Sequence, residues 1–273
     1  MHIARTGRSP ARQKPPLGSE MDWGHPLESS LAAYWLCHEG AGRRVRDVTG
    51  KGRDGLLTGS AVSWGCGPGG SMGLRAVPTA STTEGMAVPP ITTGTTFTLL
   101  VRLLISSYAE TYGSVIVGPS SSIGLWARGG GVSKLTYFYI GDHLTNSVLA
   151  LDRWYDAILS VRAGAGTWYL DGRPDGTMAN VLSTNLTYVG NDNSSNSLHG
   201  SIAHLALWTG RALTADEARQ VSAEPYALIR PAGPQRRYFT VSGLGMGFRT
   251  TELPPRFRMT ELGPKFRLTE VSR

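Results

Sequence analysis

Three groups of side chains in this sequence have types and spacing that could meet a ligand. Trp126, Tyr137, Tyr139 and His143 lie close together, and Asn191, Asp192 and Asn193 follow Gly190 in a polar run. An exposed aromatic can stack on a pyranose while nearby polar groups read its hydroxyls, so these seven residues form the candidate sugar-contacting set. Asp47 and Asp54 flank a turn cluster, Thr49-Gly50-Lys51-Gly52, and could offer calcium the carboxylate and turn oxygens it takes. The same residue types also form turns without any metal, because they bond their own backbone.

Sugar hydrolysis needs two carboxylates about 5–10 Å apart, one with a raised pKa. Nothing in the sequence advertises such a pair, and the neighbours Asp216 and Glu217 are accounted for by helix capping. No serine nucleophile is expected, and neither cysteine carries the local signature of a catalytic thiol. Two cysteines and six scattered histidines lack zinc spacing. The chain therefore reads as non-enzymatic. Cys37 and Cys66 are expected to be buried, reduced thiols.

The elements that position these residues are strands. Gly (35) and Pro (16) are abundant in the 273 residues, as in a turn-rich all-β protein and unlike a helical bundle. Apolar runs at Leu31–Cys37, Phe97–Ile105, Lys134–Ile140, Asp156–Arg162, Thr167–Leu170 and Ser201–Trp208 are separated by Gly, Asn, Asp and Pro, the signature of a sandwich or barrel. In Ser201–Trp208, alternation puts Ile202, His204, Ala206 and Trp208 on one face and Ala203, Leu205 and Leu207 on the other. Trp35, Trp154, Trp168 and Trp208 are expected to be structural. One helix start is evident: Thr214 can cap the amide of Glu217 while the Glu217 carboxylate returns to the Thr214 amide. No apolar run reaches the roughly 20 residues a bilayer needs, and residues 1–20 lack the apolar core of a secretory signal.

The excess positive charge lies at the ends. Residues 1–20 carry net +3, residues 230–273 carry +6, and the middle carries −2. The tail repeats every nine residues: Phe248-Arg249-Thr-Thr-Glu-Leu, Phe257-Arg258-Met-Thr-Glu-Leu and Phe266-Arg267-Leu-Thr-Glu-Val. Each unit is a short strand candidate with too few apolar residues to bury a core alone. The expectation is that these residues, with Phe248, Phe257 and Phe266 as anchors, add to a sheet edge or lie in a groove of another subunit. No nucleic-acid motif is present. Three regions result: an extended basic arm (1–26), a folded domain (27–229) and a basic tail (230–273).

In order, Leu31-Ala-Ala-Tyr-Trp-Leu36, Val45-Arg-Asp-Val-Thr-Gly50, Trp168-Tyr-Leu-Asp-Gly172, His199-Gly-Ser-Ile202 and Arg211-Ala-Leu-Thr-Ala-Asp-Glu217 resemble the laminin G-like (concanavalin A-like lectin/glucanase) jelly-roll family over roughly residues 27–222. The resemblance implies an all-β fold: a two-sheet antiparallel jelly-roll sandwich with one short C-terminal helix, plus extended N- and C-terminal arms. The flanks Pro15-Pro-Leu-Gly-Ser19 and Glu224-Pro-Tyr-Ala-Leu-Ile-Arg-Pro231 resemble laminin G-like proteins of tailed-bacteriophage structural modules. That implies a virion component on the capsid or tail, assembled in the host cytoplasm. Its partners would be other virion subunits, further copies of itself and host or environmental glycans, with calcium as the candidate cofactor. A carbohydrate-binding module of a secreted system, a glycoside hydrolase on the same fold and a purely structural cement protein are the alternatives.

Overall fold

Runs of Val, Ile, Leu, Tyr and Trp broken by Gly, Asn and Asp favour strands joined by tight turns. The computed structural model describes residues 14–60, 62–77, 85–108, 112–117, 124–138, 142–190, 198–230, 257–262 and 265–270. They fall into two units, divided between Gly233 and Pro234.

The first unit is a sandwich of two antiparallel sheets, in agreement with the expected fold. One sheet runs Arg173–Met178, Ala165–Leu170, Trp154–Arg162, Phe97–Ile105, Gly200–Thr209, Met72–Ala76, Val62–Cys66, with Leu31–Trp35 also paired to Gly200–Thr209. The other runs Asp142–Leu144, Lys134–Phe138, Gly124–Arg128, Tyr112–Val117, Asn185–Val189, Gly85–Thr92, Gly55–Thr58, Arg44–Val45. Between them lies the main core, built from Trp35, Phe97, Leu99, Val101, Trp168, Leu205 and Leu207 on the first sheet and Met86, Ile91, Leu125, Leu135, Tyr137 and Val189 on the second.

The first sheet is covered on both faces, which is why Phe97–Ile105 shows no alternation. Its outer face carries Tyr34, Leu100, Ile158, Ala206 and Trp208, sealed by Met21, Leu27, Leu213, Tyr226, Leu228 and the helix residues Ala218 and Val221. That helix, Ala215–Ala223, starts with the expected capping box between Thr214 and Glu217. A short antiparallel pair, Glu20–Met21 with Ile229–Arg230, ties the two ends of the unit together. The folded unit thus takes in residues 14–26, which the sequence reading assigns to an extended arm.

Two local details depart from the sequence reading. The strand Gly200–Thr209 has a register shift between Ile202 and His204, so strict alternation fails there. Ile202 consequently joins Leu205 and Leu207 in the inter-sheet core instead of facing outward with Ala206 and Trp208. Cys66 is exposed, whereas Cys37 is buried, and both are free. The difference follows from position: Cys66 is the last residue of Val62–Cys66, the outermost strand of its sheet.

In the second unit, Phe257–Leu262 pairs antiparallel with Lys265–Glu270, Phe257 opposite Glu270 and Glu261 opposite Phe266. Consecutive repeats therefore pair with each other, as a hairpin within the chain. The first repeat, with Phe248 and Arg249, lies outside the described residues.

Candidate functional site

Two of the aromatics that the sequence singles out, Trp126 and Tyr137, are not on the surface. Trp126 is 2% exposed and Tyr137 1% exposed. Leu125 and Ala127 point into the core from Gly124–Arg128, so Trp126 faces the other way and is covered there. Tyr137 lies in the inter-sheet core, its ring 6.3 Å from that of Phe97, and burial raises its phenol pKa. Neither can stack on a sugar, because alternation fixes which face a residue takes but not what covers that face. His143 is half-buried at the sheet margin, and its carbonyl accepts a bond from the Trp168 indole at 3.1 Å. Tyr139, Asn191, Asp192 and Asn193 lie outside the described residues. Of the tryptophans read as structural, Trp35, Trp168 and Trp208 are buried and Trp154 is half-buried.

Asp47 and Asp54 organise a turn. The Asp47 carboxylate accepts bonds from the amides of Tyr34 (3.1 Å), Thr49 (3.0 Å) and Arg53 (3.3 Å) and from the Thr49 hydroxyl (2.7 Å). Asp54 accepts from the Asp47 amide at 2.7 Å and pairs with Arg44. Their lone pairs are aimed at donors, so the two residues that the sequence offers as possible calcium ligands serve the turn here, and a cation would have to compete with those donors. Among the described residues, no group of three or more His, Cys, Asp or Glu is placed to hold a metal ion.

One serine, though no serine nucleophile is expected, does stand in a Gly-x-Ser-x-Gly stretch. Gly69-Gly70-Ser71-Met72-Gly73 has the spacing of a nucleophile elbow. Here the serine follows a 3-10 turn and leads into a strand, whereas the elbow requires a strand-to-helix turn. Its hydroxyl bonds the Pro68 carbonyl at 2.8 Å, a turn-closing contact.

A different aromatic does reach the surface. The edges of the two sheets, Val62–Cys66 of one and Arg44–Val45 with Gly55–Thr58 of the other, leave a groove of about 390 Å³. Gly42, Arg43, Leu57, Gly59, Val62, Ser63 and Trp64 line it. Trp64 packs against the inter-sheet core yet remains partly exposed, and its indole N–H bonds the Gly42 carbonyl at 2.7 Å. That bond joins the edge strand of one sheet to the loop that leads into Arg44–Val45 of the other, and it fixes the ring in the groove wall. Next to Gly42, Arg43 and Leu57 clamp each other: the Leu57 amide donates to the Arg43 carbonyl at 2.7 Å, and Arg43 Nε donates to the Leu57 carbonyl at 2.8 Å. Ser63 presents an exposed side chain beside them. The volume falls within the roughly 300–1,000 Å³ usual for small-molecule sites. In the sequence, the signal for Trp64 is an aromatic in a short strand cut off by Gly65, Gly67 and Pro68, as an edge strand is.

The comparisons agree with this architecture. The family model described as the concanavalin A-like lectin/glucanases superfamily matches residues 77–219. Domain 4 of AbnA, a GH43 extracellular arabinanase from Geobacillus stearothermophilus solved with arabinotriose, superposes with a TM-score of 0.58 at 16% identity, covering 71% of this chain and 98% of that one. Trypanosoma rangeli sialidase gives 0.56 at 16% identity, covering 80% of this chain but 36% of the sialidase. The binding domain of Paraclostridial Mosquitocidal Protein 1 gives 0.55 at 12% identity over 72% of this chain and 52% of that one. At these identities the likeness is one of fold. The chain matches no curated protein.

Proposed function

We propose that this chain, which belongs to the concanavalin A-like lectin/glucanases superfamily, is a non-catalytic carbohydrate-binding protein whose ligand lies in the groove between the two sheet edges. The observation that carries this reading is Trp64, an aromatic held in the groove wall by its bond to Gly42 and left partly exposed. A ring so fixed has little rotamer freedom to lose when a sugar packs on it. The neighbouring Arg43 and Ser63 supply donors for hydroxyl groups, and the lining contains no carboxylate that could act as a general acid. The resemblance of fold to an arabinanase domain solved with arabinotriose supports the same class of ligand.

The test is a titration of the full chain with arabino- and gluco-oligosaccharides, followed at the Trp64 indole N–H by NMR. Saturable shifts should appear at that resonance. In a calorimetric assay, binding should survive Trp64→Phe at reduced affinity and vanish in Trp64→Ala. Binding that is indifferent to Trp64→Ala would place the site elsewhere.

A narrower proposal is that the domain is displayed on a virion, with copies of itself and other structural subunits as partners. It is supported by the concentration of positive charge at the two ends and by the nine-residue repeat of the tail. Linked weak contacts hold far better than any one of them. Removing residues 240–273 should then leave a folded, sugar-binding domain that no longer joins particles; normal incorporation of the truncated chain would end this proposal.

A further inference from the structure

The groove has a charge that a neutral sugar would leave unanswered. Among the described residues Arg43 is the one charged residue in its lining, and it is exposed. The nearby carboxylates are already engaged. Asp54 pairs with Arg44, Asp47 takes the turn amides, and Glu39 accepts from the amides of His38 (3.0 Å) and Arg46 (2.7 Å). Among the described residues, no ion pair joins Arg43 to an acid.

The guanidinium is also held in place. Its Nε is spent on the Leu57 carbonyl, which anchors the base of the planar fork and leaves the outer nitrogens as the part beyond that bond. The residue before it, Gly42, carries the bond that fixes Trp64. One short segment thus carries the cation and holds the aromatic ring, an arrangement suited to a ring bearing an acid group. Gly42 itself stands at φ +73° with nothing within 4 Å of an added Cβ, so the wall between the two stays low.

We infer that the groove is specific for acidic sugars, a uronic acid or similar carboxylated pyranose, with the ring against Trp64 and the carboxylate on Arg43. This rests on the proposed sugar-binding role of the groove. An arginine fork accepts a carboxylate through paired charge-assisted bonds, and a sugar hydroxyl offers it nothing comparable.

The experiment compares methyl β-D-glucuronide with methyl β-D-glucoside, which differ only at C6, on the full chain at pH 7. Affinity is read from the Trp64 indole resonance. The glucuronide should bind about five- to tenfold more tightly, a ratio that falls as sodium chloride is raised. Arg43→Gln should bring the two ligands to about equal affinity, while Arg43→Lys should keep part of the preference. Equal affinities in the unsubstituted protein would overturn the acidic-sugar inference and leave the groove as a neutral-sugar site. Silence at Trp64 with both ligands would overturn the groove reading itself, and the inference with it.

Discussion

The ammonium of Lys14 lies 2.7 Å from the carbonyl of Ala203, at the point where strand Gly200–Thr209 changes partners. Before that point the strand pairs with Met72–Ala76 through Gly200, Ser201 and Ile202; beyond it, Leu205–Trp208 pair with Leu31–Trp35. Lys14 also donates to the carbonyls of Cys37 (3.0 Å) and Met72 (2.5 Å). A residue from the N-terminal segment therefore completes a sheet built from strands far along the chain.

Replacing Lys14 with Met should cost about 2 kcal/mol at pH 7, because three carbonyls lose a charged donor. Burial lowers the Lys14 pKa from 10.5 to about 8. Between those pH values the unfolded chain holds a proton that the folded chain has released, so this group makes stability rise with pH across the window. Urea unfolding from pH 7 to 10.5 should show the unsubstituted protein gaining on Lys14→Met. Parallel curves would mean the ammonium is solvated.

His204 shapes the acid side. Its ring is fully buried, neither nitrogen has a hydrogen-bond partner, and it sits edge-on to Tyr34 and Tyr226 at 6.0 and 5.3 Å between centroids. Burial, then the charges of Lys14 and Arg102, hold its pKa well below 6.5. As pH falls through 6.5 the unfolded imidazole takes up a proton that the folded one refuses, so stability is lost. The slope should be up to about 1.4 kcal/mol per pH unit from this residue, and His204→Phe should flatten it. Unfolding measured at pH 7, 6, 5 and 4 checks this, and an unchanged slope in the variant would count against a buried neutral ring.

Gly200 explains why one stretch of sequence is so readable. A Cβ on it would stand 1.9 Å from the Leu104 carbonyl oxygen, in the adjoining strand, which cannot step aside. Gly200→Ala should cost about 3 kcal/mol or more. Gly94→Ala, at φ +71° with nothing within 4 Å, should cost only about 1–2 kcal/mol from its backbone conformation. Denaturation midpoints of the two variants should rank in that order.

Such positions mark the boundary between what the sequence can and cannot disclose. The glycines of His199-Gly200 and Asp171-Gly172 are legible because the backbone requires them. Gly172 stands at φ +77°, and a Cβ there would meet the Arg219 Cα of the helix at 3.0 Å. The capping box is legible because its two bonds join residues three apart. Ile202 takes the face opposite to the one expected because a bulge leaves no mark in a pattern of apolar residues. Trp126 reads as a surface residue because burial of an outer sheet face depends on what packs over it. Trp64 escapes a sequence search because a groove between sheet edges is made by residues that only the fold brings together.

The cysteines give a direct test of that tertiary placement. Cys37 is buried and its thiol pKa is pushed up to about 12 by burial, whereas Cys66 is exposed. A maleimide at pH 7 should modify one thiol in the native protein and both in denaturant, since the thiolate is the reacting form and must be reachable. The modified residue should be Cys66 by peptide mapping. Two modified thiols in the folded state would contradict the burial of Cys37.

The turn at Asp47 separates a structural carboxylate from a metal ligand. Asp47 is 2% exposed, and its oxygens gather three amides and a hydroxyl from residues 34, 49 and 53, pinning the turn to strand Leu31–Trp35. Asp47→Ala should therefore destabilise the fold by about 2–4 kcal/mol, the range for removing a buried acceptor from several donors. Calcium, if it bound this carboxylate only in the folded state, would raise the melting temperature as its concentration exceeds the dissociation constant. With the lone pairs already filled, millimolar calcium and excess EDTA should give the same melting temperature. A calcium-dependent rise that disappears in Asp47→Ala would show that the turn opens to take the ion, and would return Asp47 and Asp54 to the role their sequence context first suggests.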